Sequence, residues 1–323
     1  MHRACALVVA VLAFAIAADA DDKPVTADQE LSAAIDILKA HHINRDKVDW
    51  AKLETAAHAE IQSANVAADA YPAIREIIEQ LGAKHTSLLP ADYARAISTG
   101  QKVGDAKPPR FDPPETMVLE GGIAMLRVPW FQGTEAHDRA YVAALRKPLN
   151  HLAQRRICRF IVDLRGNYGG NMYPMLNGLM PLLGKPPFGF WYAANTPRGP
   201  WTVLNMPTEE AGLKPYVEPI AALGDVNVAV LLDEKTVSSG EFTAMAFEGR
   251  PRTRFFGGPT GGYVTANASY KLPDGAQLAV TVSWATDRTG REYHENIAPD
   301  EATDPGQPTI DAAISWLKTQ RCK

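Results

Sequence analysis

From Met117 onward the chain changes its hydrophobic period, and that change constrains the fold more than any other feature. Short apolar runs, Ile123 to Val128, Ile157 to Leu164, Val226 to Leu232 and Arg254 to Phe256, alternate with stretches of helical period over about Thr134 to Gln154, Met172 to Leu183 and Ser239 to Phe247. Strands in this order are joined by helical crossovers, which are right-handed and leave neighbouring strands parallel. The expected core is α/β with a mostly parallel sheet. Tyr270 to Leu272 and Gln277 to Val282 flank Pro273-Asp274-Gly275-Ala276 as hairpin strands do, so antiparallel additions are expected after it. A last helix, about Thr309 to Leu317, closes the domain.

Ahead of this core, about Thr26 to Leu89 reads as helix throughout. Thr26 with Gln29 fits a capping box before the stripe Leu31, Ala34, Ile35 and Leu38, Asp49 caps a second helix, and Gly82 ends a third that begins near Asp69. The prolines between Lys107 and Pro114 forbid both a helix interior and a central strand. The expected division is a signal peptide over 1–20, a helical module over 25–92, a Pro-rich linker over 93–115 and the core over 116–320. The leader expectation rests on His2 and Arg3, the apolar run Ala4 to Ala18, and the small residues before Asp21. No later segment is long and apolar enough to span a bilayer.

Charge excludes one class of partner. With 33 Lys and Arg against 37 Asp and Glu, and no basic block, the chain lacks the positive face that nucleic acid requires. Removal of the leader leaves Cys158 and Cys322, compatible with one bridge in an oxidising compartment, although the more economical reading is a buried Cys158 and a Cys322 on a frayed tail. His41-His42 and His294 stand outside ligand-type spacings, and no metal or cofactor is expected. Asn267-Ala-Ser269 fits a glycosylation sequon, relevant only in a eukaryotic secretory route.

Three segments read as functional loops. Val162-Asp-Leu-Arg-Gly-Asn-Tyr-Gly-Gly-Asn171 runs from a buried strand through glycines to a helix, where backbone N–H groups can meet a developing anion; it is equally a tight turn needing positive φ. Ser238-Ser-Gly-Glu241 lies between a strand and a helix. Its Ser-x-x-Glu spacing is that of an N-cap, and a nucleophile also sits at such a junction. His85, just past the helical module, is the residue type that supplies a base of near-neutral pKa.

Taken in order, these segments resemble the S41 family of C-terminal-processing and tricorn-like peptidases. Asp163-Leu-Arg-Gly-Asn-Tyr-Gly-Gly170 is similar to the family's Asp-x-Arg-x-Asn-x-Gly-Gly signature, Ser238-Ser-Gly-Glu241 to its nucleophile segment, Ile297-Ala-Pro-Asp300 to its late Val-x-Pro-Asp element, and Gly82-Ala-Lys-His-Thr86 to the histidine motif of the tricorn-like branch. Phe256-Gly-Gly-Pro-Thr-Gly-Gly262 stands where the family has a Gly-x-Thr-x-Gly turn. The resemblance implies a ClpP/crotonase-like core and an exported serine peptidase, periplasmic or secreted, that takes a peptide or protein substrate. It implies Ser238 as nucleophile, His85 as general base, and the N–H groups of Ser239 and Gly169 as oxyanion donors. A glutamate near the late element would orient the histidine, with Glu295 the first choice and Glu292 and His294 behind it.

The chain departs from the processing proteases in two places. Tyr263 stands where they carry a lysine base, and Leu89 to Met117 is too short for a PDZ module. Two alternatives stay open: a non-catalytic protein binding a peptide or apolar ligand on the same scaffold, and an esterase or acyl-transfer activity.

Overall fold

A computed structural model describes residues 24–99, 112–133, 135–193, 199–201 and 223–322. The expected signal peptide and most of the Pro-rich segment lie outside the described residues.

Helix α1 (Ala27–His41) starts from the expected capping box: Gln29 N–H donates to Thr26 Oγ1 at 3.2 Å and Thr26 N–H to Gln29 Oε1 at 3.0 Å. Asp49 caps α2 (Trp50–Glu60), and α3 (Tyr71–Leu81) ends at Gly82 in the left-handed region, φ 66°. A turn carrying His85 then leads into β1 (Ser87–Leu89), and α4 (Ala91–Thr99) follows where the linker was expected to begin. The linker expectation rested on the later prolines, which do not reach back this far.

The core begins with an antiparallel pair, β2 (Glu115–Leu119) and β3 (Ile123–Arg127), followed by α5 (Glu135–Gln154), β4 (Arg159–Asp163) and α6 (Met172–Leu183). After β5 (Gly189–Tyr192) and β6 (Gly199–Pro200) come β7 (Asn227–Leu232), α7 (Ser239–Met245) and β8 (Thr253–Gly257). The chain closes with the hairpin β9 (Thr265–Lys271) and β10 (Gln277–Asp287), the short β11 (Glu292–Tyr293) and β12 (Glu301–Ala302), and α8 (Gln307–Thr319).

These strands form two sheets. The first runs β12-β8-β7-β4-β3-β2, parallel throughout except at β2, as the alternating period requires. One face packs Phe160, Val162, Val228 and Val230 against Leu145, Leu176 and Leu179 of α5 and α6. The other packs Ile161, Ala229, Leu231 and Phe256 against Ala313 and Leu317 of α8. Burial on both faces explains why β4 and β7 read as unbroken apolar runs.

The second sheet is antiparallel and centred on β10, which pairs with β1, β5, β9 and β11. Leu278 and Val280 on it, with Leu272 and Ala276 of the turn between β9 and β10, share one apolar cluster with Leu31, Leu38, Ile74 and Ile77 of the leading helices. The helical module is thus not appended to the core but seated on this sheet, to which β1 contributes a strand. Glu30, fully buried on α1, accepts the N–H of Asp274 at the hairpin turn at 3.1 Å, and burial pushes its pKa up to about 7.

Cys158 and Cys322 form a disulfide with Cα atoms 5.7 Å apart, contrary to the frayed-tail reading. Hydrogen bonds hold the tail in place: Arg159 Nη2 donates to the Gln320 carbonyl at 2.9 Å and Asn227 Nδ2 to that of Arg321 at 3.2 Å. Among the described residues no helix is long and apolar enough to cross a membrane.

Candidate active site

The ends of the parallel strands β4 and β7 release two loops that are fastened to each other. Asp233 Oδ1 accepts the N–H of Gly166 at 3.0 Å, Thr236 Oγ1 donates to the Leu164 carbonyl at 2.9 Å, and Val237 N–H donates to that of Asn167 at 3.0 Å. Asp163 and Arg165 form a bidentate pair, and Arg165 Nη1 extends to the Gly306 carbonyl at 2.8 Å. The Asp-x-Arg-x-Asn motif therefore works as scaffolding.

Ser238 stands at the end of the second loop with φ 53° and ψ −119°, a conformation that costs a non-glycine residue about 1–3 kcal/mol. It is half-buried, and its hydroxyl makes no cap hydrogen bond. The N-cap reading is half right. Glu241 reaches back to the Ser238 N–H at 2.9 Å, while among the described residues the serine oxygen has no hydrogen-bond partner.

Glu241 is the hub of the site, a role the sequence reading assigned only to a cap. Wholly buried, it accepts four hydrogen bonds: Oε1 from Thr260 Oγ1 at 2.5 Å and Gly262 N–H at 2.8 Å, Oε2 from Ser238 N–H and Tyr263 N–H at 2.9 and 2.7 Å. Burial pushes its pKa above the ordinary glutamate value, against the pull of those donors. The carboxylate thus clasps Ser238 to the turn 260–263. Behind that turn, Thr260 exchanges hydrogen bonds with the backbone of Ile297 at 2.8 and 3.0 Å. Asp300 of the same element accepts the Phe255 N–H at 2.8 Å and so fixes β8.

The glycine-rich loop touches the serine directly. Gly169 has φ 96°, and a Cβ there would lie 2.8 Å from Ser238 Cβ and 3.0 Å from Ser239 N. Its N–H, expected to be an oxyanion donor, is instead given to Asn167 Oδ1 at 2.9 Å, because asparagine readily bonds the backbone two residues on. Among the described residues the N–H groups of Ser239 and Gly170 have no acceptor. Ser239 Oγ donates to the Gly170 carbonyl at 2.5 Å and ties those two residues together.

His85 approaches the same turn from the helical module. Its Nδ1 lies 2.8 Å from the Thr265 carbonyl oxygen, which can only accept. Nδ1 therefore carries the proton and Nε2 the lone pair, the tautomer a general base needs. Burial pushes the imidazole pKa down, with the Thr265 bond opposing. The ring packs edge-to-face on Tyr263 at 5.3 Å, and the N–H of Tyr263 shares Glu241 Oε2 with Ser238. Lys84 adds a bond to the Gly261 carbonyl at 2.7 Å and sits 4.4 Å from the Tyr263 ring centroid. His85 and Ser238, far apart in the chain, are thus both held to the turn 260–263, His85 by packing on the Tyr263 ring and Ser238 through Glu241.

Among the described residues no hydrogen bond or ion pair joins Glu295 to His85: the Glu295 side chain is exposed, its backbone lies beside Gly262 of the same turn, and His85 Nδ1 is held by Thr265. Glu292 and His294 pair with each other at 3.3 Å, and the His294 ring packs on Trp284. The orienting group is a main-chain carbonyl, for which no side-chain identity could have given a signal. Glu241, by contrast, was marked by its spacing from Ser238.

Comparison with known proteins places this geometry. The nisin-resistance protein of Lactococcus lactis subsp. lactis is 29% identical over 276 residues, covering 85% of this chain and 82% of that protein. A carboxyl-terminal-processing protease of Picosynechococcus is 26% identical over 163 residues, 50% of this chain and 36% of that protein. Among solved structures, a lipoprotein from Streptococcus agalactiae is similar with a TM-score of 0.77 at 24% identity, covering 94% of this chain and 99% of that one. The photosystem II D1 C-terminal processing protease gives 0.64 at 15% identity, covering 92% and 98%. These structures share the fold. The model of peptidase family S41 matches residues 122–303, more than half of the 323 residues, and the chain belongs to that family.

Proposed function

We propose that the protein is a serine peptidase working outside the cytoplasm, periplasmic or secreted, that cleaves peptide bonds through an acyl-enzyme on Ser238. The observation carrying this reading is the pinned imidazole: Thr265 holds the His85 proton on Nδ1 and leaves Nε2 as acceptor, on a ring packed against Tyr263 of the turn that also holds Ser238. Ser238 Oγ attacks the substrate carbonyl and passes its proton to His85 Nε2. The tetrahedral oxyanion takes the N–H groups of Ser239 and Gly170, which have no acceptor among the described residues; each such donor is typically worth about a hundredfold or more in rate. Collapse expels the amine, which carries off the proton from His85. Water then cleaves the ester and restores Ser238. Relatives named for nisin resistance and for carboxyl-terminal processing support a peptide as substrate, and the Cys158–Cys322 bridge supports an oxidising compartment.

A fluorophosphonate should label Ser238, and Ser238→Ala should abolish labelling and peptide hydrolysis together. Because the His85 pKa is lowered, the labelling rate should be level at pH 7 and decline only on the acid side of about 6.5. Full hydrolysis by the alanine variant would sink the assignment.

Two observations favour a second reading, a peptide-binding protein that does not cut. Among the described residues no carboxylate is bonded to His85, and the Gly169 N–H is engaged within its own loop. Peptide binding by folded wild-type protein without any labelling would select it.

A further inference from the structure

His85 is gripped at both ends by β9. Thr265 holds the ring nitrogen, and Asn267 Nδ2 donates to the His85 carbonyl at 2.6 Å. Asn267 is itself exposed, so its orientation needs a cause. That cause is a buried polar chain running back into the helical module.

The chain has one consistent direction. His42, wholly buried at the end of α1, accepts the Asn44 N–H on Nδ1 at 3.0 Å, so its proton sits on Nε2 and is donated to Thr86 Oγ1 at 3.0 Å. Thr86 Oγ1 donates to Thr281 Oγ1 at 3.0 Å, and Thr281 Oγ1 donates to Asn267 Oδ1 at 3.1 Å. The amide oxygen of Asn267 is thereby fixed as acceptor, which turns its NH2 toward His85. Every proton is used once, and Thr281 N–H fills a further lone pair of Thr86 Oγ1 at 3.1 Å. Burial, helped by Arg45, pushes the His42 pKa down to about 4, so the imidazole is a neutral donor through the neutral range.

Two features separate this chain from ordinary packing. The apolar cluster of Leu31, Leu38, Ile74, Ile77, Leu278 and Val280 already joins module to sheet, whereas buried hydroxyls are costly unless fully paired. The chain also ends at a β-bulge, where the register of β9 on β10 shifts between Thr281 and Ser283, and bulges re-aim side chains beside functional sites.

We propose that His42, Thr86, Thr281 and Asn267 form a positioning relay for His85, which makes the first helix of the module part of the catalytic apparatus. The relay rests on the reading of His85 as general base.

The test uses the full chain and a fluorophosphonate as probe. Thr281→Val keeps the shape but removes the hydroxyl, and Thr281→Ser restores it. The valine variant should label Ser238 about ten- to a hundredfold more slowly at saturating probe, with the half-saturating concentration unchanged, since misplacement of a catalytic group costs rate rather than binding. Thr281→Ser should stay within about threefold of wild type. Wild-type labelling by Thr281→Val, or equal slowing of both variants in step with their melting temperatures, overturns the relay. Should Thr281→Val not fold, Asn267→Asp, at an exposed position, removes the donor to His85 and sets a carboxylate oxygen against its carbonyl, and should slow labelling likewise; a wild-type rate there overturns the relay. Proton NMR of the His85 Nδ1–H separates this from failure of the underlying reading. If His85→Gln labels like wild type, the base assignment fails, and the relay then stands or falls on whether Thr281→Val loses that resonance while Thr281→Ser keeps it.

Discussion

The two halves of the site are built on different principles. The nucleophile half is local and over-determined: Ser238 and Glu241 sit three residues apart, the loops after β4 and β7 are bonded to each other, and a wholly buried carboxylate closes the assembly. The base half is assembled from remote segments. His85 is held by Thr265 and Asn267, 180 and 182 residues away in the chain, and by a module that reaches it through the second sheet. The first half tolerates strain because its surroundings leave it no alternative. The second depends on packing between units, so its geometry should be the one that perturbation reaches first.

The largest expected effect tests the over-determined half. Glu241→Gln substitutes an NH2 for one of two oxygens that each accept two hydrogen bonds. Thr260 can turn its hydroxyl to accept, but at least one backbone N–H is then left buried and opposed by another donor. The expected destabilisation is about 3 kcal/mol, with fluorophosphonate labelling of Ser238 reduced about a hundredfold or more. Chemical denaturation and the labelling rate check both. A variant unchanged in either would show that the clasp is not what fixes the serine, and the contrast between the halves would dissolve.

The same contrast explains what was legible in the sequence. The parallel sheet, α6 and the β9–β10 hairpin follow from hydrophobic period and turn residues, and the structure places them where those signals fall. Ser238 and the glycine-rich loop were legible because a backbone at φ 96° and a serine beside it need particular residues. Glu241 was visible as a cap but not as a hub, since three of its four donors come from a turn some twenty residues later. The orienting group of His85 was not legible at all: it is a carbonyl, and every residue has one. A carboxylate was expected from the late element, but that element is used to brace Thr260 and β8 instead.

A smaller effect sharpens the account of strain. Ser238→Ala and Ser238→Gly both remove the hydroxyl, but only glycine relieves the backbone at φ 53°. After roughly 0.5–1 kcal/mol is set against glycine for its freedom in the unfolded chain, the glycine variant should still be more stable than the alanine variant by about 1 kcal/mol. Thermal unfolding of the two inactive proteins measures the difference without interference from activity. Equal melting temperatures would mean that the serine is held without strain and that the first half is merely well packed.

The smallest effect is expected at Glu295, and it decides whether the base half is complete as described. The side chain is exposed and the imidazole is already anchored on Thr265, so Glu295→Gln should leave labelling and peptide hydrolysis within about twofold and the melting temperature unchanged. An exposed charge acts on a buried ring only through solvent and salt, which weaken it further at physiological ionic strength. A loss of tenfold or more, deepest at low salt and recovered by Glu295→Asp, would mean that a carboxylate does orient or stabilise the protonated imidazole during the reaction. The two halves would then both rely on a carboxylate, one buried and one exposed, and the main-chain anchor would be only the resting position of His85.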